Sequence, residues 1–165
     1  MSTLLDKLLS GDAHQIWEGA CAVATLREAA ELDMLCAHLP EIEERTQGIE
    51  LGGLLFPNRE HLRFALRKLR YYKAKAGCLC QLYTERLMFS PAGEEEAGNI
   101  RIIEKVQSCD YNATYRCRCA LCDAHFHVEE GEYHYTWWRW SMVEPTSALV
   151  ESKSASKGKA PGARP

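Results

Sequence analysis

The sequence lacks both a long hydrophobic run and a recognisable targeting segment. No stretch of about 18 consecutive apolar residues is present, so we expect no membrane-spanning helix. The first residues, Met-Ser-Thr-Leu-Leu-Asp, contain no basic segment followed by an apolar one, so we expect no signal peptide. Together these absences predict a cytoplasmic protein whose cysteines are reduced.

The sequence also lacks the short motifs of the common enzyme families. Gly-x-Gly-x-x-Gly, the phosphate-binding loop, Gly-x-Ser-x-Gly and His-Glu-x-x-His are all absent. A nucleophile pair of Cys36 and His38 is unfavourable, because residues two apart on a helix point in different directions. No pattern supports a pair of Cys109 and His134. We therefore predict that the chain is not an enzyme.

The net charge is small but unevenly distributed. The whole chain of 165 residues carries −3, whereas residues 145–165 hold four basic residues against Glu151, so residues 1–144 carry −6. An acidic body disfavours a protein that binds nucleic-acid phosphates and favours a basic protein partner, although solubility alone explains it equally well. The Ser-, Lys-, Gly-, Ala- and Pro-rich composition of residues 145–165 predicts a disordered tail.

Cysteine is the residue type that is most strongly clustered. Five of the eight cysteines fall within residues 78–80 and 117–122. Cys119 and Cys122 have the Cys-x-x-Cys spacing with which a tight turn directs two thiolates at one point. Cys78 and Cys80, one residue apart, are suited to complete the set. Four thiolates at roughly 2.3 Å form a closed structural zinc site. We predict a structural Zn²⁺ held by Cys78, Cys80, Cys119 and Cys122.

Other ligand sets remain open at this point. Cys117 faces the same side of a strand as Cys119 and is an alternative to it. His125 or His127 could replace a thiolate, and the cysteines could instead be buried free thiols that behave as small apolar residues. The glutamates near these histidines suggest metal-assisted hydrolysis, but a catalytic zinc needs an open position that four thiolates do not leave.

Apolar periodicity predicts an α+β fold. Residues 1–76 form an antiparallel helical half, in which Ser2 and Asp12 cap the first two helices and residues 59–74 form the strongest helix. Residues 77–144 form a small zinc-stabilised antiparallel β module. Within it we expect a loop at residues 91–98 and a closing hairpin of residues 126–129 and 132–140 around Glu130-Gly131. Alternation places Tyr133, Tyr135 and Trp137 on one face of the last strand.

Several short segments carry a resemblance to a known family. They are Leu8-Leu9-Ser10-Gly11-Asp12, Trp17, Ala20, Leu26-Arg27, His38-Leu39-Pro40, Leu51-Gly52-Gly53, Pro57-Asn58, Phe64-Ala65-Leu66-Arg67-Lys68-Leu69, Gly77-Cys78-Leu79-Cys80 and Tyr133-His134-Tyr135-Thr136-Trp137-Trp138. Residues 3–140 resemble the small HEAT-like immunity proteins of bacterial polymorphic toxin systems, including contact-dependent growth inhibition. The resemblance implies a protein that binds the toxic C-terminal domain of a cognate toxin in the cytosol. It implies no catalytic residues and does not identify the toxin.

An inhibitor of a basic nuclease toxin would use acidic and aromatic side chains to occlude the active site. The candidate partner-binding residues are Glu94, Glu95, Glu96, Glu129, Glu130, Glu132 and Trp138. The alternative is a zinc-ribbon module that binds nucleic acid or acts as an adaptor. This alternative is supported by the cysteine pattern together with the basic helix of residues 59–73.

Overall fold

The computed structural model describes residues 3–52, 58–109 and 112–144. Helices occupy the first part of these ranges and a four-stranded sheet the second, which confirms the α+β fold. The predicted tail, residues 145–165, lies outside the described residues. The elements are α1 (Leu4–Leu9), α2 (Ala13–Thr25), α3 (Ala29–Ala37), α4 (Leu39–Thr46), α5 (Asn58–Lys73), a 3-10 helix (Leu79–Glu85), α6 (Pro91–Glu96), β1 (Ile100–Cys109), β2 (Asn112–Cys119), β3 (His125–Tyr133) and β4 (Tyr135–Val143).

The first two helices begin at side chains that satisfy free backbone N–H groups. At α1 the cap is Thr3, not the predicted Ser2, which lies outside the described residues. The Thr3 hydroxyl accepts a hydrogen bond from the Asp6 amide, and the Asp6 carboxylate accepts one from the Thr3 amide. At α2 the predicted cap is confirmed, because the Asp12 carboxylate accepts from the Gln15 amide at 2.9 Å.

The helices α1 to α5 enclose a core of aliphatic side chains. The helical spacing of these residues places them on one face of each helix, as the sequence predicts. The completely or almost completely buried members include Leu8, Ile16, Val23, Leu32, Leu35, Ile42 and Leu69. This core orients α5, whose other side carries Phe64 and Tyr71 into a second core beneath the sheet.

The sheet is an antiparallel meander in the order β1-β2-β3-β4. Along β2 the buried residues alternate with more exposed ones, so Ala113, Tyr115, Cys117 and Cys119 share the covered face. Phe126, Val128 and Trp140 lie on the same face of the neighbouring strands and pack with Tyr83 of the 3-10 helix. The opposite face of the sheet carries charged and polar side chains.

Two sequence expectations about the β half are wrong. Residues 91–98 do not form a loop throughout, because Pro91–Glu96 is the helix α6, which starts with proline after a Ser90 cap. The last hairpin turns at His134, which has φ of +60°, and not at Glu130-Gly131. Gly131 lies within β3 and not at the turn. The absence of a side chain there allows the Trp137 ring to pack directly against its backbone.

Candidate metal centre

Two elements that are distant in sequence supply the four predicted cysteine ligands. Cys78 caps the start of the 3-10 helix and Cys80 lies in its first turn. Cys119 ends β2, and Cys122 lies in the turn that leads to β3. That turn is closed by hydrogen bonds from the Cys119 amide to the Ala124 carbonyl, at 2.8 Å, and from the Asp123 amide to the Cys119 carbonyl, at 3.2 Å. The cluster therefore joins the 3-10 helix to the β2–β3 hairpin.

The four sulfur atoms are close enough to bind a single ion. The Cys78 and Cys119 sulfurs are 3.7 Å apart, the Cys80 and Cys122 sulfurs are 3.4 Å apart, and all four lie within 4.8 Å of one another. Sulfurs at about 2.3 Å from a central zinc ion would be separated by about 3.8 Å in a tetrahedron. A disulfide requires about 2.05 Å, so these cysteines are free thiols. The geometry fits four-thiolate coordination.

Backbone donors at the turn favour a thiolate at one of the four positions. Burial raises the pKa of the Cys119 thiol, but hydrogen bonds from the amides of Cys122 and Leu121 and from the thiols of Cys80 and Cys122 together outweigh it, and the pKa lies below its ordinary value. The Leu121 amide is 3.4 Å from the Cys119 sulfur. Amide donors of this kind also stabilise a metal-bound thiolate, because they neutralise part of its charge.

The two thiols of the 3-10 helix, by contrast, have raised pKa values. Burial raises the pKa of Cys78, and it raises the pKa of Cys80 well above the ordinary range. A metal ion must displace the protons of these thiols before it can bind them. The binding of a metal ion should therefore release protons and become weaker as the pH falls.

The alternative ligands Cys117, His125 and His127 lie elsewhere. Cys117 is on the covered face, as expected, but it sits in the hydrophobic core opposite Phe126, and burial raises its pKa to about 12. His125 and His127 are paired with Arg118 and Arg116, whose side chains belong to the other face of the sheet. Within the described residues, the one group of three or more potential ligands within reach of a single ion is the four predicted cysteines.

The glutamates proposed to bind a partner divide into exposed and internal groups. Glu94 is only 8% exposed, and its carboxylate accepts hydrogen bonds from the Tyr83 hydroxyl, at 2.6 Å, and from the side-chain amide of Asn99, at 2.8 Å. Arg27 lies 3.7 Å from the same oxygen. Glu94 therefore ties α6 to the 3-10 helix and is not part of an exposed acidic surface.

The other candidates are more accessible, to different degrees. Glu130 accepts from the Tyr115 hydroxyl and from the Trp138 indole, and Glu129 is 3.5 Å from Arg139. Three candidates, Glu95, Glu96 and Glu132, are exposed, although a Glu95 oxygen also accepts from a strand amide. The exposed glutamates come from α6 and the end of β3.

The basic helix α5 is largely neutralised by the fold. Arg59, Arg63, Arg67 and Arg70 each lie within 4.0 Å of a glutamate, and the respective partners are Glu50, Glu60, Glu85 and Glu43. Lys68 is 2% exposed and donates hydrogen bonds to three backbone carbonyls. Each arginine of α5 therefore has an acidic neighbour, which reduces the positive charge that this helix presents to solvent.

A cavity of about 600 Å³ lies between the start of α5, the segment after the 3-10 helix and the start of β4. Among the predicted site residues, Trp138 lines it. The sequence carried no other signal for this cavity, because its walls come from three separate segments.

Comparison of the chain with models of known protein families, with curated protein sequences and with solved structures gives no significant match in any of the three. None of the described helices combines the length and the apolar character that crossing a bilayer requires. The functional interpretation therefore depends on the residues themselves.

Proposed function

We propose that this chain is an immunity protein: a binding protein without catalytic activity that neutralises a toxin domain in the cytosol. In this proposal the chain occludes the active site of a basic toxin, such as a nuclease, and a structural zinc ion stabilises its β half. The four-cysteine cluster supports the non-catalytic part of this proposal. A tetrahedral ion bound by four thiolates has no position left for water or substrate, so its role would be to hold the scaffold of a binding surface.

Zinc is the metal that best suits this ligand set. Thiolates select zinc, iron and copper(I) over hard cations such as Mg²⁺ or Ca²⁺. Zinc adopts tetrahedral four-thiolate coordination without redox chemistry, as a structural role requires. The metal is tested by elemental analysis of the purified chain, for which we expect about one zinc per chain and no visible absorbance. If the chain instead contained iron and showed a visible absorption band, we would conclude that the cysteines hold an iron centre and not zinc.

The immunity function is tested by affinity capture from the organism that encodes the chain. We expect a single basic polypeptide at about equal stoichiometry, identified by mass spectrometry. Expression of that polypeptide alone should arrest growth, and co-expression with this chain should restore it. Growth arrest that persists despite a formed complex would contradict neutralisation, and recovery of nucleic acid without a protein would support the alternative function.

The alternative function is a zinc-ribbon module that binds nucleic acid. One observation favours it: the face of the sheet opposite the core carries Arg101, Arg116, Arg118 and Arg139, and Arg139 lies 5.4 Å from the centre of the Trp137 ring. Three of these arginines also have acidic neighbours, namely Glu104, Asp123 and Glu129. Binding of labelled RNA or DNA that weakens steeply with salt would support this function. No binding at low salt would exclude it.

A further inference from the structure

The cavity between the helical half and the sheet has an apolar wall with a fixed aromatic ring. Trp138 is held at two points, because its amide donates to the Leu87 carbonyl at 2.9 Å and its indole N–H donates to Glu130 at 3.0 Å. Both donors are engaged, so the ring offers the cavity only apolar surface. Leu87 and Tyr135 are 43% and 52% exposed at the same site. Exposed apolar groups that surround a concave site are typical of a binding surface.

Acidic side chains complete the lining of the cavity. Glu60 and Glu85 both line it, and each uses its Oε1 atom in an ion pair with an arginine on α5. Those arginines, Arg63 and Arg67, are more than half exposed, so the ion pairs are weak and can exchange with a competing cation.

The cationic residue of the lining, Arg86, is engaged by other groups of the protein. The Arg86 guanidinium donates to the Glu60 carbonyl at 2.9 Å and lies 5.6 Å from the centre of the Phe64 ring. His61 also lines the cavity, and burial, together with the charge of Arg86, lowers its pKa. The lowered pKa favours the neutral imidazole. The lining residues Glu60, Glu85 and Arg86 then sum to −1, and the two glutamates are balanced only by the exposed Arg63 and Arg67.

We propose that this cavity binds an arginine side chain of the protein partner. The methylene groups of the arginine would pack on the apolar wall, and its guanidinium would pair with Glu85 and Glu60. The inference rests on the proposed function only in taking the partner to be a basic protein. Arginine suits the site better than lysine, because a planar guanidinium stacks on an aromatic ring and pairs with a carboxylate through two hydrogen bonds.

The cavity volume agrees with this occupant. About 600 Å³ lies in the range of small-molecule pockets, roughly 300–1,000 Å³. Such a cavity accommodates one long side chain together with the backbone on either side of it. Aromatic and arginine side chains that fill pockets of this kind contribute most of the binding energy at many protein interfaces.

The proposal is tested by nuclear magnetic resonance titration of the full chain with three matched probes. These are the N-acetyl methylamides of arginine, of citrulline, which has nearly the same shape without the charge, and of glutamate. The reporters are the Trp138 indole N–H and the amides of Leu87 and Thr136. We expect the arginine probe to shift these signals in the millimolar range and to bind at least about fivefold more tightly than the citrulline probe.

Two variants locate the binding site. Glu85→Gln should lower the affinity of the chain for the arginine probe several-fold. Glu50→Gln should leave its affinity unchanged, because Glu50 is 91% exposed and pairs with Arg59 outside the cavity. Equal binding of arginine and citrulline, a preference for the glutamate probe, or an unchanged affinity in Glu85→Gln would each overturn the proposal. The titration requires no toxin, so its failure is distinguishable from failure of the immunity function.

Discussion

At the scale of single residues, Lys68 is the most unusual side chain in the described part of the protein. It reaches from α5 to the last turn of α2, where its amino group donates to the carbonyls of Val23 and Ala24, both at 2.9 Å, and of Leu26, at 2.5 Å. The last carbonyls of a helix have no partner within the helix, so Lys68 takes the place of a conventional C-cap. Burial and the nearby Arg27 charge lower its pKa to about 7.

Replacing Lys68 with methionine should destabilise the protein by about 2–4 kcal/mol, because the carbonyls of Ala24 and Leu26 lose this donor and that of Val23 keeps only the Leu26 amide. Urea unfolding measures this change. Lys73→Met, on the same helix, is the matched control. Lys73 is exposed and makes one hydrogen bond, to the Cys36 carbonyl, so we expect a loss below about 1 kcal/mol. Equal losses in both variants would contradict the capping role.

The same residue predicts a pH dependence. The pKa of Lys68 is about 7 in the folded chain, against an ordinary value of 10.5 when the chain is unfolded. Between these values the unfolded state binds more protons, so the Lys68 contribution to the free energy of unfolding should rise with pH by up to about 1.4 kcal/mol per unit. Below pH 7 both states are protonated and the contribution is constant. Wild type should gain stability relative to Lys68→Met between pH 7 and 9; parallel pH profiles would contradict the lowered pKa.

Gly131 is required because of the ring that covers it. A Cβ atom at this position would lie within 2.6 Å of Cε2 of Trp137, inside the van der Waals limit. We expect Gly131→Ala to cost at least about 2 kcal/mol, since the ring must leave its site or the strands must separate. Thermal unfolding followed by tryptophan fluorescence measures the loss. Gly93→Ala is the control, because a Cβ atom there would make only an ordinary van der Waals contact with Ser90, at 3.8 Å, and alanine favours a helix.

At the scale of elements, the cysteine cluster adds a second connection between the 3-10 helix and the sheet, beside the core that they share. The 3-10 helix has poor intrinsic stability, because 3-10 hydrogen bonds are badly aligned. Its packing side chains, Leu82 and Tyr83, lie beneath the sheet, and the cluster fixes its start to the β2–β3 turn. A bound metal would therefore stabilise both the helix and the core that it covers.

Replacing one cysteine of the cluster should show how much a bound metal contributes to stability. We expect Cys119→Ser or Cys122→Ser to abolish metal binding and to lower the free energy of unfolding by at least about 3 kcal/mol, because binding energy at a structural metal is folding energy. Cys21→Ser, at a half-buried cysteine outside the cluster, should retain both metal and stability. Elemental analysis and thermal unfolding test the three variants together. A Cys119→Ser protein with full metal content would remove that residue from the site.

At the scale of the whole molecule, the exposed glutamates belong to the proposed partner surface, whereas Glu94 is internal and contributes to stability. Glu96→Lys with Glu132→Lys reverses two exposed charges and should weaken capture of a basic partner at least about tenfold, chiefly through slower association, with the melting temperature unchanged. Glu94→Ala should lower the melting temperature and leave capture unchanged, because it removes the oxygen that accepts from Tyr83 and Asn99. Capture assays and thermal unfolding separate the effects. Full capture by the double variant would place the partner surface elsewhere.

The elements that the sequence predicts well are those fixed by interactions between residues close together in the chain. Helical periodicity and the Asp12 cap are properties of neighbouring residues, and the helices of the first half follow them. The turn of the β3–β4 hairpin was predicted at the wrong residues, because glycine is a good turn residue. Nothing in the neighbouring sequence indicates that Trp137, six positions later, will cover Gly131. Residues 91–98 were predicted as a loop because of their proline and glycines, but proline is also a frequent first residue of a helix.

Spacing along the chain was enough to predict an α+β protein and the four cysteines that come together, because periodicity and the Cys-x-x-Cys turn act over a few residues. The folded chain decided what depends on distant residues coming together. Strand register turned His125 and His127 away from the cluster, and packing buried Glu94. The glutamates that pair with the arginines of α5, and the cavity beside Trp138, arise from segments that meet only in three dimensions. Long-range contacts of this kind leave no periodic signal in a single sequence.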